Sequence, residues 1–445
     1  MTQPTAPRTP SLPRLRLRNH PPTSVQARNW TLVQVDSVFI GIVTASGTFL
    51  PVFLLRLGAS ANDVGLLTAL PALTAFALAI PFGRFLQGRR NIVPWYSRMR
   101  LVAWLSYATM AAVAALLPRE QAIPVMLAVW ALASLPSTAG LVAFPIVMDG
   151  AAGRDGRFDL LGRRWAIAGT STAIAVALGG QFLDAIPFPA NFELLFALIS
   201  VAGVGSYLQS SRIVIPDQVR AASVAQAPAR QRVSNLWSLV MANRSFVRFE
   251  LRSLLYTATI GLSMPVLPLF YVHEVKAPDA WIGIIGAASS AGGVLGYLVA
   301  RHLARQRGVG MILLPSMLAM ALAPAILSAI GWLPAVAAIV FVMGVASAGV
   351  QLAMFDQLMH RVPSEHGVTF TSVDQSVQNV ALVLAPNVGG LLVVAIGARS
   401  TLLIVALVGA VALGSFAGYA RPAARTRPQP RPEPEREPSE VATTG

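Results

Sequence analysis

The sequence has no cysteine among its 445 residues, which excludes disulfide bonds and thiolate metal sites. Charge is also scarce: Asp, Glu, Lys and Arg make up 12% of the chain, whereas soluble proteins carry roughly 25%. Lys276 is the only lysine, so nearly all basic residues are arginine. With 55% hydrophobic residues and a mean hydropathy of +0.61, the chain is predicted to lie in lipid.

Residue patterns that support catalysis or metal binding are missing as well. A phosphate-binding loop of the form Gly-x-x-x-x-Gly-Lys-Ser/Thr does not occur, which argues against ATP hydrolysis. No histidine is spaced with a carboxylate as metal ligands are; the histidines are His20, His273, His302, His360 and His366. We therefore expect no metal, no cofactor and no enzymatic activity.

What the chain does contain is a series of twelve apolar runs, each long enough to cross a bilayer as a helix. The first is predicted at residues 31–55. On one side of the predicted membrane lie only Arg56, Arg119, Lys276 and Arg399, while all other basic residues fall on the side of the termini. This asymmetry predicts two cytoplasmic termini in the cytoplasmic membrane, and it accounts for the net charge of +15 without nucleic-acid binding.

The second half of the sequence repeats the first in outline. Asp63–Arg90 is a helix cap, an apolar span and a basic end, and Pro278–Gly308 has the same plan, with Gly283 in the place of Gly65. Further pairs follow at nearly constant offsets: Leu50-Pro51 with Leu267-Pro268, Leu117-Pro118 with Leu333-Pro334, Asp149 with Asp356, and Gly179-Gly180 with Gly389-Gly390. Because each unit has six spans, the two halves are predicted to be parallel repeats.

In these features residues 30–420 resemble the major facilitator superfamily (MFS). Its loop motif Gly-x-x-x-Asp-Arg-x-Gly-Arg-Arg is matched loosely by Gly83, Arg89 and Arg90, with Gln87 where the aspartate is expected. The predicted fold class is an all-α integral membrane protein with twelve transmembrane helices as two six-helix repeats. The predicted regions are a disordered basic cytoplasmic tail (1–29), two six-helix bundles (30–210 and 247–420), a cytoplasmic linker with an interfacial helix (211–246) and a disordered tail (421–445).

Asp36 is the most informative ionisable residue inside a span. Its predicted depth is about 9 Å below Trp30, at 1.5 Å per residue, and Gln34 is in the same span. A carboxylate at this depth needs a wet cavity or a partner. One interpretation is a role in proton coupling or cation binding; the other is a structural pair with Arg98 or Arg100.

A second polar group follows helical spacing in span eleven, within its cytoplasmic half. Its members are Thr371, Asp374, Gln375, Gln378 and Asn379. Such a stripe lines a substrate pathway or bonds to another helix. Both interpretations stay open, and we assign Asp374, Gln375, Gln378 and Asn379 to a candidate substrate and proton pathway together with Asp36 and Gln34.

Asp149 and Asp356 end spans four and ten on the cytoplasmic side, near basic loops. We expect them to bind arginines when that side is closed and to release them when it opens; a helix cap or solvated helix end is the simpler alternative. The candidate partners are Arg84, Arg89, Arg90, Arg164, Arg301 and Arg305.

Taken together, the residues and the resemblance predict a secondary transporter in which two bundles expose a central site to each side in turn. The resemblance implies a small-molecule substrate and an ion gradient, most often of protons. We expect a monomer in the lipid bilayer that exports amphipathic compounds. Uptake of a metabolite is the alternative, and a non-transporting sensor or scaffold is a third possibility.

Overall fold

The computed structural model describes residues 24–87, 89, 91–152, 157–215, 240–307, 310–361 and 367–417, and all regular elements in this part are helical. The first half contains seven helices: α1 (Ser24–Thr44), α2 (Ser46–Leu57), α3 (Ala61–Gln87), α4 (Val93–Leu116), α5 (Arg119–Ala152), α6 (Arg157–Ala185) and α7 (Ala190–Ser210). In the described part of the second half there are six long helices: α8 (Arg244–Leu269), α9 (Asp279–Arg307), α10 (Gly310–Ala329), α11 (Leu333–Met359), α12 (Gly367–Ile396) and α13 (Ala398–Ala417).

These helices form twelve segments that are long and apolar enough to cross a membrane. Helices α1 and α2 together make the first segment, and a π-helical turn (Phe270–Glu274) extends α8 in the seventh. The predicted all-α fold with twelve spans is thus confirmed. We call the membrane side on which α1 begins and α13 ends the tail side, and the opposite side the far side.

The first span differs from the prediction in its start and in its continuity. Helix α1 begins at Ser24, inside the region predicted as disordered tail, so that prediction is wrong for residues 24–29. The reason is Asn29, which is buried and bonds in both directions to Val214 after α7: its amide donates to the Val214 carbonyl (2.7 Å) and its oxygen accepts from the Val214 amide (3.1 Å). The span is also divided at Ala45, where α1 ends and α2 begins.

The turn between α2 and α3 shows how local sequence stops one helix and starts the next. Gly58 closes α2 in the left-handed conformation (φ 102°), which glycine adopts without steric cost. Ser60 and Asp63 then form a reciprocal capping box: the Ser60 amide donates to Asp63 Oδ2 (2.8 Å), and the Asp63 amide donates to Ser60 Oγ (3.2 Å). The helix cap predicted at this position is confirmed.

Each half has an apolar interior, and that of the first half continues to Ala277 and Ile282 of the second half. In the first half Phe53 stacks on Phe192 with ring centroids 5.0 Å apart and is tilted against Phe196 at 5.5 Å. In the second half Phe246 meets Phe370 edge to face at 4.7 Å. Aromatic pairs of this kind hold the helices of each half together by burial and favourable ring geometry.

The halves meet mainly through two helix pairs, α3 with α12 and α6 with α9. Near the far side, a Cβ atom on Gly180 of α6 would lie 2.7 Å from the Cα of Gly283 in α9. At the related place, a Cβ on Gly390 of α12 would lie 2.8 Å from the Ala61 carbonyl of α3. Gly180 and Gly390 are the repeat partners identified in the sequence, so the two halves use the same positions to contact each other.

Several predictions fall on residues outside the described part of the chain. They are the part of the predicted linker and interfacial helix over 216–239, the N-terminal tail before Ser24 and the predicted C-terminal tail over 421–445.

Candidate transport site and gates

Asp36 lies inside the first half and is paired there. It is 0% exposed, and the Arg100 guanidinium of α4 reaches both of its oxygens at 3.2–3.3 Å. Ser206 of α7 donates its hydroxyl hydrogen to Asp36 Oδ1 and accepts a hydrogen bond from Arg100 at 2.8 Å. The Arg100 side chain also lies over the Trp104 ring at 4.3 Å. The sequence left two interpretations of Asp36: a role in transport, or a structural pair with Arg98 or Arg100. In the structure Asp36 is paired with Arg100.

Gln34 is half-buried on α1. It precedes Asp36 by two residues, which places the two side chains on different faces of the helix. The structure does not join Gln34 to the ion pair.

The stripe on α12 packs against α8. The Gln378 amide donates to Ser253 Oγ (2.9 Å) and to Asp374 Oδ1 (3.4 Å), and Gln378 Oε1 accepts from the Thr257 hydroxyl. Gln375 also interacts with Asp374. Asp374 is 8% exposed, and Asn379 is half-buried one residue after Gln378. The stripe thus contributes to a polar network between two helices of the second half.

Glu250 belongs to this network and was missed in the sequence. It is 6% exposed on α8 and interacts electrostatically with Asp374. A signal was available, because Glu250, Ser253 and Thr257 follow helical spacing (i, i+3, i+7), as the stripe on α12 does. Glu250 lies among Arg244, Arg248 and Arg252 near the start of α8, and such a mixture of charges is typical of a solvated helix end.

The structure does not bring Asp36 and Asp374 together. Asp36 is enclosed by α1, α4 and α7, whereas Asp374 is enclosed between α8 and α12. The two residues do lie in opposite halves, as predicted. Each carboxyl group, however, has its closest described partners in its own half.

On the tail side, three described members of the predicted gate, Asp356, Arg89 and Arg164, contact residues of their own half. Asp356 lies 3.5 Å from His360 Nδ1 on the same chain segment. Arg89 stacks over Phe85 at 4.4 Å, and the buried Arg164 lies over Phe144 at 4.6 Å. Asp149 is exposed at the end of α5. Arg90 and the side chains of Arg84, Arg301 and Arg305 lie outside the described part.

On the far side, an ion pair links the halves. Arg56 Nη2 at the end of α2 lies 2.6 Å from Asp279 Oδ1 at the start of α9, and the same nitrogen is 3.4 Å from the Ala277 carbonyl. Asp184, at the end of α6, adds negative potential near Asp279. In the sequence, Arg56 indicates only topology. Its link to Asp279 could not be predicted because the two residues are 223 positions apart.

Twelve spanning helices in two like halves, joined near one membrane side and containing buried polar networks, define a transporter fold. The family model of the Major Facilitator Superfamily matches residues 251–444. The predicted resemblance to this superfamily is thereby confirmed, and the chain has the fold of its transporters.

Solved structures of transporters are similar to most of the chain at low sequence identity. A mutant of the nucleoside transporter NupG has a TM-score of 0.71 at 13% identity, covering 88% of this chain and 99% of its own. A bacterial homologue of the human lysosomal transporter Spinster, inward-facing and unoccupied, has a TM-score of 0.65 at 13% identity and covers 89% and 96%. A bacterial homologue of the iron transporter ferroportin, also inward-facing, has a TM-score of 0.65 at 14% identity and covers 89% and 99%. No curated protein sequence matches the chain.

Proposed function

We propose that this protein is a secondary active transporter that exports small amphipathic molecules in exchange for protons across the cytoplasmic membrane. The tail side corresponds to the cytoplasm in this proposal, as the distribution of arginines indicates. The observation that carries the proposal is the joint between the halves at the far side, made by the Arg56–Asp279 ion pair and the Gly180–Gly283 contact. Among the described residues, the ion pair between the halves lies at the far side, where an alternating-access carrier is closed in its inward-facing state.

The hydrogen bonds that the polar side chains make with one another support an amphipathic substrate. Sugars and nucleosides need several free hydrogen-bonding groups in a transport site. Here the polar side chains within the described spans bond mainly to one another: Asp36 with Arg100 and Ser206, Gln378 with Ser253 and Thr257, and Tyr297 with Gln351 (2.7 Å). An apolar cargo that needs few directed hydrogen bonds fits this arrangement better.

Uptake of a metabolite is the second candidate. The observation that favours it is the likeness to the nucleoside transporter NupG, at a TM-score of 0.71. At 13% identity this likeness concerns the fold alone, so transport measurements must decide between the two directions.

The proposal is tested by expressing the protein in a drug-sensitive bacterial host and measuring growth on a panel of amphipathic dyes and drugs. We expect resistance to at least one compound. The purified protein in liposomes should then move that compound against its gradient when a proton gradient is imposed, and a protonophore should abolish the movement. Accumulation of a metabolite with no export of any panel compound would contradict efflux and favour uptake.

The far-side ion pair gives a separate prediction. Replacing Arg56 with glutamine should weaken the inward-facing state by about 1 kcal/mol, which is the upper range for a partly exposed pair. That change corresponds to roughly a fivefold shift toward the outward-facing state. A cysteine at Thr48, which lies between the halves against Gly286, should then react faster with a membrane-impermeant maleimide added from the far side.

The matched control is Arg399→Gln. Arg399 lies 3.1 Å from Glu274 on the same membrane side, but both residues belong to the second half. This variant should leave the labelling of Thr48→Cys unchanged. The exchanged pair Arg56→Asp with Asp279→Arg should restore the original rate; equal labelling in all variants would show that the ion pair does not hold the halves together.

A further inference from the structure

The network between α8 and α12 contains two buried carboxyl groups close to each other. Glu250 lies six residues from the start of α8 and Asp374 seven residues from the start of α12, about 9 and 10 Å along the helices. Ser253, Thr257 and Gln378 continue the polar contact toward the far side. The two acids are therefore at the tail-side end of a row of polar side chains between α8 and α12.

The hydrogen bonds of this network leave Glu250 without a donor. The Gln378 amide group donates hydrogen bonds to Ser253 and Asp374, and its oxygen accepts a hydrogen bond from the Thr257 hydroxyl. Neither carboxylate oxygen of Glu250, both of which are buried, has a hydrogen-bond partner among the described residues. An ionised carboxylate in such a place costs several kcal/mol unless something neutralises it.

Among the described residues, Glu250 forms no ion pair with a basic side chain. Its negative charge is therefore not neutralised by an arginine or histidine of a neighbouring helix in this part of the chain. Arg252 is two residues further along α8, on another face of the helix, and Arg361 lies over the Phe249 ring at 5.1 Å. Tyr256 is a buried phenol six residues beyond Glu250, about 9 Å along the helix. The other ionisable groups on helices packed against α8 have their own described partners or lie near the far side: Arg56, Asp63, His273, Glu274, Asp279, Asp356, His360 and Arg399. The Arg84 side chain is outside the described part.

Two neighbouring carboxyl groups in a buried site are best satisfied by one shared proton. One acid is then neutral and donates its O–H to the other, which stays ionised, and this charge-assisted hydrogen bond is strong. The arrangement supplies the missing donor and halves the buried charge. Such a pair titrates as a unit, so the proton belongs to both residues.

We infer that Glu250 and Asp374 form a carboxyl pair that holds one exchangeable proton, and that this proton is the one coupled to the transport proposed above. Loss of the proton leaves two negative charges facing each other across the α8–α12 interface. Their repulsion favours separation of the two helices at the tail side. Helix α12 also makes one of the two main contacts with the first half, through α3, so the charge of the pair acts directly on a helix that joins the halves.

Infrared spectroscopy of the purified protein in lipid tests the pair without a transported substrate. A pH titration should show the C=O stretch of one protonated carboxyl group that disappears at high pH. The band should be lost in Glu250→Gln and in Asp374→Asn, both of which keep the size of the side chain. The control Glu274→Gln, which removes an exposed carboxyl group paired with Arg399, should keep the band.

Three results would overturn the inference. The first is a band that persists in both variants, and the second is a wild-type protein with no such band at neutral pH. The third is loss of the band when Na⁺ replaces choline at constant pH, because the pair would then bind a metal cation.

In liposomes with an imposed pH gradient, proton-driven export should fall at least about tenfold in Glu250→Gln, which corresponds to a loss of about 1.4 kcal/mol, and remain in Glu274→Gln. Full export in Glu250→Gln would refute the coupling role, whereas no export by the wild type would refute the proposed function and leave the infrared result standing.

Discussion

Replacing Arg100 with alanine is expected to destabilise the first half by about 3–5 kcal/mol, because it leaves Asp36 charged and buried without its partner. Asp36 is 0% exposed, and Ser206 alone would remain to bond to it. The loss should appear as a lower midpoint of thermal unfolding in detergent and a smaller yield of folded protein.

Two further variants separate this effect from a general loss of arginine. Arg399→Ala removes a guanidinium group that is partly exposed, and it should cost less than about 1 kcal/mol. The double replacement of Asp36 with leucine and Arg100 with methionine removes both charges and should recover most of the stability. If Arg100→Ala unfolds at the wild-type temperature, the pair contributes nothing to the fold.

The same series decides whether Asp36 acts in transport. A folded variant with Asp36→Asn and Arg100→Gln retains polar side chains of similar size but has no charge at this site. Proton-driven export by this variant would show that the pair is structural. A variant that folds but no longer couples export to protons would instead support the transport role that the sequence suggested for Asp36.

The second large effect is expected at the contact between α6 and α9. An alanine at Gly180 would place its Cβ atom 2.7 Å from the Gly283 Cα and 2.8 Å from the Asp279 carbonyl. Both neighbours are backbone atoms that cannot rotate away, so the helices must separate. Overpacking of this kind costs about 1–3 kcal/mol, and in this case the cost falls on the state in which the far side is closed.

We therefore expect Gly180→Ala and Gly283→Ala to favour the outward-facing state and to slow transport severalfold. Labelling of Thr48→Cys from the far side measures the first effect, and flux in liposomes measures the second. The control is Gly293→Ala on the same helix as Gly283, since no atom lies within 4 Å of the position its Cβ would occupy. Wild-type labelling and flux in Gly180→Ala would show that the close contact is not needed for closure.

The architecture could be predicted from the sequence because it depends on patterns that many residues share. Spans follow from apolar length, and the two halves follow from repeats such as Gly180 and Gly390. The structure gives these glycines their physical meaning, since both allow a helix of one half to approach the backbone of the other.

The partners of individual charged residues could not be predicted in the same way. Arg98 and Arg100 were both candidates for Asp36, and only the rotation of α4 about its axis selects Arg100. Glu250 follows helical spacing with Ser253 and Thr257, but its pairing with Asp374 could not be predicted because the two residues are on helices more than a hundred positions apart. Such pairings depend on helix packing, whereas hydropathy and local spacing describe one helix at a time.

The position of the Gly180–Gly283 contact also has a mechanical consequence. Measured along α6, the distance from Gly180 to Arg157 at the tail side is about 35 Å. With the contact as a pivot, a rotation of about 10° would move the distant helix ends by about 6 Å, at 1.5 Å of helix per residue. Because the helices extend far from this contact, a small rotation about it moves their tail-side ends by several ångströms. A passage wide enough for a small molecule can thus open without bending any helix.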